Sequence, residues 1–406
     1  MPARRILVDL LGFTGSRGGT ETYVRELLPR IDALLPDMRF AALTGRAGTE
    51  RVGAFFPGRV QTLGAVGTDP ATWALGAVAA TDAIARRHRA DLVWAPANFG
   101  PVLRGVPRVV TVHDAIYDEV PGSLAQRAQR GVTSWLMRRS ARTADRVLTV
   151  SHAAAESIGR HLGGPSGRIA VVHNGSTDPR PVADPASEVA SLAIPAGRPV
   201  VLSVGNGMPH KNFPGLLAAV ATLPREQRPV TVIAGSRLPD PLEADVARLG
   251  LEADVVLPGW VSDAQLEALF QIADLYVCPS LVEGFGLPIV DALRRGIPVL
   301  AHDVPVLREV GGVAARYADA TDAAAFGAAI GAALASPPDA DAREAARAWA
   351  SRFTWDGAAE ATAAELERVV DTNWDPPVTA SARLVSIIDD CAQHLGQAAY
   401  VRGIAP

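Results

Sequence analysis

Short apolar segments alternate with longer helical patterns along most of this chain of 406 residues. The segments are apolar on both faces, rich in β-branched residues and closed by turn residues, as buried parallel strands are. They are RILVDLL at 5–11, FAALTG at 40–45, DLVWAP at 91–96, RVVTVHD at 108–114, RVLTVS at 146–151, IAVVHNG at 169–175, VVLSVG at 200–205, VTVIAGS at 230–236, VVLPGWV at 255–261, LYVCPS at 275–280 and PVLAHD at 298–303. The alternation predicts an α/β fold with parallel sheets.

The alternation pauses once, between 176 and 199, where Pro, Ala and Asp predominate. This composition predicts a linker with at most one turn of helix. Two similar α/β units joined once predict two facing, doubly wound, Rossmann-like domains, whose ligands bind in the cleft at the carboxyl ends of the strands. The expected divisions are a first domain at 1–178, a linker at 179–198 and a second domain at 199–355.

The carboxyl-terminal part has a different pattern. A helical, Ala-rich period covers 340–370, and an amphipathic helix is expected at 380–401 after a break at Asp375, Pro376 and Pro377. We expect the helices of 356–406 to cross back onto the first domain.

Composition excludes several classes of protein. The net charge of -4 argues against a protein built to grip nucleic acid. No run approaches the ~18 apolar residues of a membrane span. Asp9 interrupts the first apolar run, which therefore predicts a strand rather than a leader. Cys278 and Cys391 match no metal-ligand spacing and suit a reducing compartment, so we expect a cytoplasmic protein.

A glycine-rich turn follows the first strand, with Gly12, Gly15, Gly18 and Gly19 before a helix that opens near Thr20. Glycines let a backbone approach a phosphate, and the helix start supplies oriented N–H groups. The turn is a phosphate-loop candidate, although it lacks the G-x-G-x-x-G spacing and the second strand ends in no acidic residue. A tight connecting loop remains the alternative.

A second turn, SVGNGMPHKN at 203–212, follows the first strand of the second domain. It contains Gly205, Asn206 and Lys211, the single lysine among 39 cationic residues. Arginine is a planar fork and lysine a compact point charge, so the exception favours a site where the fork does not fit. An ammonium here would lie beside a bound phosphate. Chance survival of a surface lysine is the alternative.

The third signal is EGFGLPIVD at 283–291. Glu283 precedes Gly284, Phe285 and Gly286, and a helix is predicted to begin near Leu287, with proline in its first turn. Asp291 follows Glu283 by eight residues, so two carboxylates could accept hydrogen bonds from the hydroxyls of one ligand. Asp291 alone could instead be a partner of the helix dipole.

These segments, together with TVHD at 111–114, TVSHAAAESI at 149–158 and VVHNGSTD at 171–178, resemble the retaining, nucleotide-sugar-dependent glycosyltransferases of family 4. The resemblance covers nearly the whole chain and implies the GT-B fold. It implies transfer of a hexose from a nucleoside diphosphate sugar to a hydroxyl acceptor, with retention and without metal or another cofactor. No Asp-x-Asp motif accompanies the glycine-rich turns.

The resemblance also implies roles for single residues. Lys211 would bind the diphosphate, Glu283 would lie beside the donor sugar, and His113 would lie near the reacting sugar and acceptor. Asp291 would bind the ribose, although the family usually has Glu there, and Asn206 stands where many members have Arg. The remaining donor contacts would come from Gly18, Gly19, Gly205, Trp260, Val261, Ser262, Gly284, Phe285, Gly286 and Leu287.

Several alternatives stay open at this stage. A nucleotide-sugar 2-epimerase shares the architecture, and a non-catalytic, donor-binding partner subunit would share the site. Resemblance to mannosyl- and rhamnosyltransferase-like members weakly favours a GDP- or dTDP-linked hexose. The basic helix predicted at 123–143 could contact the inner face of a membrane, but an ordinary packed helix with a solvated basic face is favoured.

Overall fold

The computed structural model describes residues 4–13, 18–68, 70–98, 100–103, 105–116, 124–163 and 166–372. Within these ranges the first sheet has seven parallel strands in the order β3-β2-β1-β4-β5-β6-β7. They are β1 (Arg4–Leu10), β2 (Met38–Gly45), β3 (Arg59–Leu63), β4 (Leu92–Ala95), β5 (Arg108–Thr111), β6 (Arg146–Thr149) and β7 (Ile169–Val171).

The second sheet has six parallel strands among the described residues, in the order β10-β9-β8-β11-β12-β13. They are β8 (Val200–Val204), β9 (Val230–Ala234), β10 (Val255–Gly259), β11 (Leu275–Cys278), β12 (Val299–His302) and β13 (Arg316–Ala318). Two doubly wound parallel sheets confirm the predicted fold class.

Helices cover both faces of the sheets. Numbered over the described residues, they are α1 (Gly19–Leu34), α2 (Thr49–Gly53), α3 (Pro70–Ala79), α4 (Thr81–Arg87), α5 (Leu124–Thr143), α6 (His152–Leu162), α7 (Pro185–Glu188), α8 (Phe213–Thr222), α9 (Glu243–Leu249), α10 (Asp263–Ile272), α11 (Leu287–Arg294), α12 (Pro305–Gly311), α13 (Ala323–Ala335), α14 (Ala340–Ala350) and α15 (Trp355–Thr372). Within the part of the chain that is described, none is long and apolar enough to cross a bilayer.

Every segment predicted as a strand contains a strand in the structure, but two strands of the structure have no predicted counterpart. β3 and β13 lie at sheet edges, and their residues are mostly half-buried or exposed. RVQTL and RYA lack a continuous apolar run because these strands are partly exposed to solvent, so neither gives a strand signal in the sequence.

Each sheet has a point where the strand order reverses, between β1 and β4 in the first and between β8 and β11 in the second. Loops leave the sheet in opposite directions there and open a crevice at the carboxyl ends of the strands. The loops that follow β1, β5, β8 and β11 carry all three motifs singled out above and TVHD. The topology therefore gathers them at the carboxyl edge of each sheet.

The carboxyl-terminal helix α15 packs on the first domain, against α1. Glu365 accepts hydrogen bonds from Arg146 Nε and Nη2 at 2.6 and 2.8 Å, and Asp371 pairs with Arg4 at 2.7 Å. The helical period expected over 340–370 divides into α14 and α15, because the chain turns at 351–354.

The segment between the domains contains more helix than the single turn expected. It holds α7 and a three-residue 3-10 helix, Ala190–Leu192. The Asp184 side chain caps α7 by accepting the N–H of Ser187, and α7 packs on α10 of the second domain. The helix predicted at 380–401 lies outside the described residues, and the exact domain boundaries stay a prediction.

Candidate functional site

An ion pair lies at the carboxyl ends of β8 and β11. The Nζ of Lys211 is 2.6 Å from Oε1 of Glu283, and both side chains are largely buried. Burial by itself would lower the pKa of Lys211, but the Glu283 carboxylate raises it above its usual value. Burial would likewise raise the pKa of Glu283, and Lys211 lowers it. Both groups therefore carry charge at neutral pH.

The local backbone brings Lys211 to this position. Lys211 ends a short 3-10 helix, Pro209–Lys211, that stops at Asn212 in the left-handed region (φ 52°). A Cβ on Gly205 would lie 3.4 Å from Cδ and Cε of Lys211, so the glycine makes room for the lysine stem. The preceding residue, His210, has a pKa lowered by burial and by the lysine charge.

His113 lies just beyond β5, in the first domain, and is almost fully buried. Its Nε2 donates to the carbonyl oxygen of Pro96 at 2.8 Å, which assigns the proton to Nε2, and its backbone N–H donates to Asn98 Oδ1 at 2.7 Å. The Tyr23 ring packs edge-on against it, with centroids 4.8 Å apart. Burial lowers the pKa of His113 to about 4, so this imidazole is neutral at pH 7.

The EGFG loop joins the two domains. A Cβ on Gly284 would lie 2.3 Å from the carbonyl oxygen of His113, so the loop backbone packs directly on the end of β5. The carbonyl oxygen of Gly284 accepts a hydrogen bond of 2.7 Å from Ser151 Oγ, at the start of α6. Gly286 has φ 94°, a conformation that favours glycine, and directly precedes α11. The backbone next to Glu283 is thereby held against the backbone of His113.

The glycine turn after β1 faces the same loop. Gly18 precedes α1, and a Cβ built on Gly19 would lie 3.9 Å from Cδ1 of Leu287. The backbone of this turn thus reaches the start of α11 across the cleft, while Gly15 lies outside the described residues. Phe285 is buried and packs on Phe353 and His173.

Asp291 lies in α11, at the domain junction. Burial raises the pKa of Asp291, against the lowering effect of the Arg295 charge. Its Oδ1 is buried and accepts no hydrogen bond from the described residues. The backbone oxygen of Asp291 accepts from Arg295, whose guanidinium also binds both carboxylate oxygens of Glu267. The unpartnered oxygen is the atom that a ligand hydroxyl could satisfy.

The remaining predicted donor contacts follow two strands: Asn206 follows β8, and Trp260, Val261 and Ser262 follow β10. Asn206 is exposed, and its carbonyl oxygen accepts the N–H of Met208. Val261 is buried, and Trp260 is half exposed. The Ser262 hydroxyl caps α10 by accepting the N–H of Gln265, and its own N–H donates to the Gln265 side chain. The S-x-x-Q spacing in the sequence is typical of such a capping box.

Sequence reasoning missed three polar residues that position the site. Asn98 holds the backbone at His113, Ser151 holds the EGFG loop, and Asp114 adds negative charge near Lys211. Asp114 and Ser151 stand inside the quoted TVHD and TVSH segments. Asn98 has positive φ after β4 and carried no sequence signal beyond a polar residue at a strand end.

Comparison with known proteins assigns the chain to a family. The model described as Glycosyltransferase Family 4 matches residues 17–177, and Glycosyl transferases group 1 matches residues 186–349. The O-antigen chain mannosyltransferase B of Escherichia coli is 33% identical over 284 residues, which cover 67% of this chain and 73% of that protein. The chain belongs to glycosyltransferase family 4.

Other relatives of this family 4 glycosyltransferase are matched over shorter lengths. The α-D-kanosaminyltransferase of Streptomyces kanamyceticus is 30% identical over 49% of this chain and 53% of its own length. The O-antigen chain mannosyltransferase RfbU of Salmonella typhimurium is 28% identical over 57% of this chain and 61% of its own length. The chain thus spans little more than half the length of these two relatives.

Solved structures agree on the GT-B fold of the transferase. Sucrose-phosphate synthase from Thermosynechococcus elongatus has a TM-score of 0.71 at 22% identity, over 90% of this chain and 98% of that one. Anabaena HepE in complex with UDP-glucose has a TM-score of 0.67 at 20% identity, over 90% of this chain and 99% of that one. A further family model, described as Mycothiol-S-transferase, matches residues 332–405. Its described part includes α14 and α15, which pack on α11 and α1 of the transferase fold.

Proposed function

We propose that this glycosyltransferase moves a hexose from a nucleoside diphosphate sugar to a hydroxyl acceptor, with retention of configuration and without a metal ion. The observation that carries the proposal is the buried pair of Lys211 and Glu283 at the switch point of the second sheet, where the adjacent Gly284 packs on the backbone of His113 in the first domain. A nucleotide-sugar site is expected in that crevice of a doubly wound fold.

The chemistry follows from the charges that develop in the reaction. Cleavage at the anomeric carbon places negative charge on the leaving diphosphate oxygen and positive charge on the sugar. A preorganised cation at the leaving group lowers the barrier more than other single contacts do. In the proposed mechanism Lys211 supplies that charge, and the N–H groups near Gly18 and Gly19 add oriented dipoles.

Glu283 and His113 would act on the sugar side. Glu283 is ionised, so its carboxylate can accept hydrogen bonds from sugar hydroxyls while Oε1 orients Lys211. His113 is neutral, with Nε2–H committed to Pro96, so Nδ1 carries the lone pair that can accept a hydroxyl proton in a hydrogen bond. Asp291 Oδ1 would take a ribose hydroxyl, directly or through a water.

The donor is proposed to be a GDP- or dTDP-linked hexose. Support comes from relatives described as mannosyltransferases in Escherichia coli and Salmonella. A thermal-shift titration with GDP, UDP, dTDP and ADP tests both site and base. At a hundredfold excess over Kd a ligand adds about 2.7 kcal/mol of stability, a midpoint shift of a few degrees.

The titration is designed around Lys211→Ala, with Arg248→Ala as the control because Arg248 is an exposed cation in α9. The expected result is a shift with one nucleotide that shrinks in Lys211→Ala and persists in Arg248→Ala. Equal shifts in both variants would contradict a diphosphate site at Lys211. Sugar turnover that needs no acceptor would instead favour the nucleotide-sugar 2-epimerase, and donor binding without turnover would favour a non-catalytic partner subunit.

Peripheral contact with a membrane is a second proposal, carried by α5. Val132 and Trp135 are 62% and 54% exposed, and the neighbouring Arg139 is exposed too. Trp and Arg on one helix face suit the interface of an anionic bilayer. Co-sedimentation with phosphatidylglycerol vesicles should fall in Trp135→Ser and Arg139→Ser. Equal sedimentation of these variants would leave α5 as a packed helix with a solvated basic face.

A further inference from the structure

Glu309 joins the two domains at a second place, beside His173, whose ring also contacts Phe285. It lies in α12, in the second domain. Its Oε1 accepts the backbone N–H of His152 and the Nε2–H of His173, both at 2.8 Å, and its Oε2 accepts the N–H of Ala153 at 3.0 Å. His152 begins α6 and His173 follows β7, so both belong to the first domain. One carboxylate thus holds two elements across the domain boundary.

The side chains of His152, His173 and Glu309 form a group of metal-ligating type. Each offers one ligand atom, and these atoms lie within 4.8 Å of one another. The two imidazole rings meet edge-on with centroids 5.7 Å apart. Within the described ranges, no other three His, Cys, Asp or Glu side chains are grouped in this way. Imidazole nitrogens with a carboxylate oxygen are a ligand set that Zn²⁺ and similar ions prefer.

We propose that His152, His173 and Glu309 bind a divalent transition-metal ion such as Zn²⁺, and that the ion fastens the two domains together. The ion would bind the lone pair of His173 Nε2 in place of the proton shared with Glu309 Oε1. His173 would then be a neutral imidazole ligand with its ring proton on Nδ1, so a neutral ring would move its proton from Nε2 to Nδ1 and an imidazolium would release one proton to solvent. A water would complete a tetrahedral site.

The geometry needs only a small adjustment. Ligands at about 2.1 Å from a tetrahedral ion lie roughly 3.4 Å apart. His173 Nε2 and Glu309 Oε1 are 2.8 Å apart and must separate slightly to admit the ion. The exposed His152 imidazole, whose ligand atom lies within 4.8 Å of theirs, must approach by at most about 1.4 Å. The Ala153 N–H keeps the second oxygen of Glu309 in place, as outer hydrogen bonds do at metal sites.

Binding is tested with Zn²⁺ and the metal-free, full-length protein by isothermal titration calorimetry. His152→Gln removes one ligand but keeps the backbone N–H that Glu309 accepts. His161→Gln is the matched control, because His161 lies near the other end of α6. We expect one ion per chain, with affinity at least about tenfold weaker in His152→Gln and unchanged in His161→Gln. Equal affinity of the wild type and His152→Gln would overturn the site.

The bridging role has a separate readout. Amide hydrogen exchange at His152 and Ala153 reports how often their bonds to Glu309 open. Zn²⁺ should slow this exchange about tenfold in the wild type and leave it unchanged in His152→Gln. Zinc binding with unaltered exchange would overturn the bridge. Neither measurement depends on the proposed transfer reaction. Failure of the zinc site and failure of the proposed function would therefore be seen in different experiments.

Discussion

At the scale of single residues, Lys211 is the side chain on which the proposed chemistry depends. Lys211→Ala should reduce kcat by about 10² to 10³, the effect of losing one charge-stabilising donor. Lys211→Arg should also be impaired, because the lysine stem passes close to Gly205 and its ammonium is a buried point charge on Glu283, a position that suits a planar fork poorly. Initial rates with the donor found by titration give the test, and near-normal turnover of Lys211→Ala would exclude the assignment.

A folded-state control accompanies this comparison. Removal of Lys211 leaves the Glu283 carboxylate buried without its cation, which destabilises a folded protein. Melting temperatures of the wild type, Lys211→Ala and Lys211→Arg therefore separate a loss of folded protein from a loss of turnover.

His113 provides a prediction about pH. Burial lowers its pKa from 6.5 to about 4, so between these values the unfolded chain binds a proton that the folded chain does not. The stability from this residue is complete above pH 6.5 and is lost as the pH falls toward about 4. Urea unfolding at about pH 7.5 and about pH 5 should show a smaller loss of stability in His113→Gln than in the wild type.

Asp9 must be considered in the same experiment. Burial raises its pKa to about 6, so Asp9 favours the folded state as the pH falls, the opposite direction. Both chains contain Asp9, and its effect cancels when their pH dependences are subtracted. If the wild type and His113→Gln lost the same unfolding free energy between the two pH values, His113 would titrate normally in the folded protein.

At the scale of elements, the EGFG loop depends on the small size of Gly284. Gly284→Ala places a methyl 2.3 Å from the carbonyl oxygen of His113, so the loop or β5 must shift. We expect a loss of about 1–3 kcal/mol in unfolding free energy, together with reduced kcat/KM because Glu283 moves with the loop. Chemical denaturation and steady-state rates measure the two effects.

Gly18→Ala is the matched control for stability. Gly18 has extended backbone (φ 166°), and an added Cβ meets no described atom within 4 Å. Its unfolding free energy should stay within about 0.5 kcal/mol of the wild type. Equal stability of both variants would show that the loop backbone yields without cost.

At the scale of the whole molecule, α15 fastens the end of the described chain to the first domain. Glu365→Gln replaces the carboxylate that Arg146 binds through two nitrogens, in a pair that is mostly buried. We expect a loss of about 1–3 kcal/mol in unfolding free energy, whereas Glu360→Gln, on an exposed position of the same helix, should change little. Thermal or urea unfolding gives the comparison, and identical curves would mean that the pair adds nothing to stability.

The amino-acid sequence by itself determined the α/β class, the buried strands and the polar turns, because these are local consequences of apolar periodicity and of glycine and proline. It also singled out Lys211 and Glu283 as candidate site residues, since each stands in a motif. Tertiary structure alone decided that these two form an ion pair, that His113 lies beneath Gly284, and that Glu309 meets His152 and His173. The residues in these contacts are separated by 72 to 171 positions along the chain, for example 72 for the ion pair and 136 for His173 and Glu309. Contacts at such separations depend on strand order and domain packing, which no local pattern encodes.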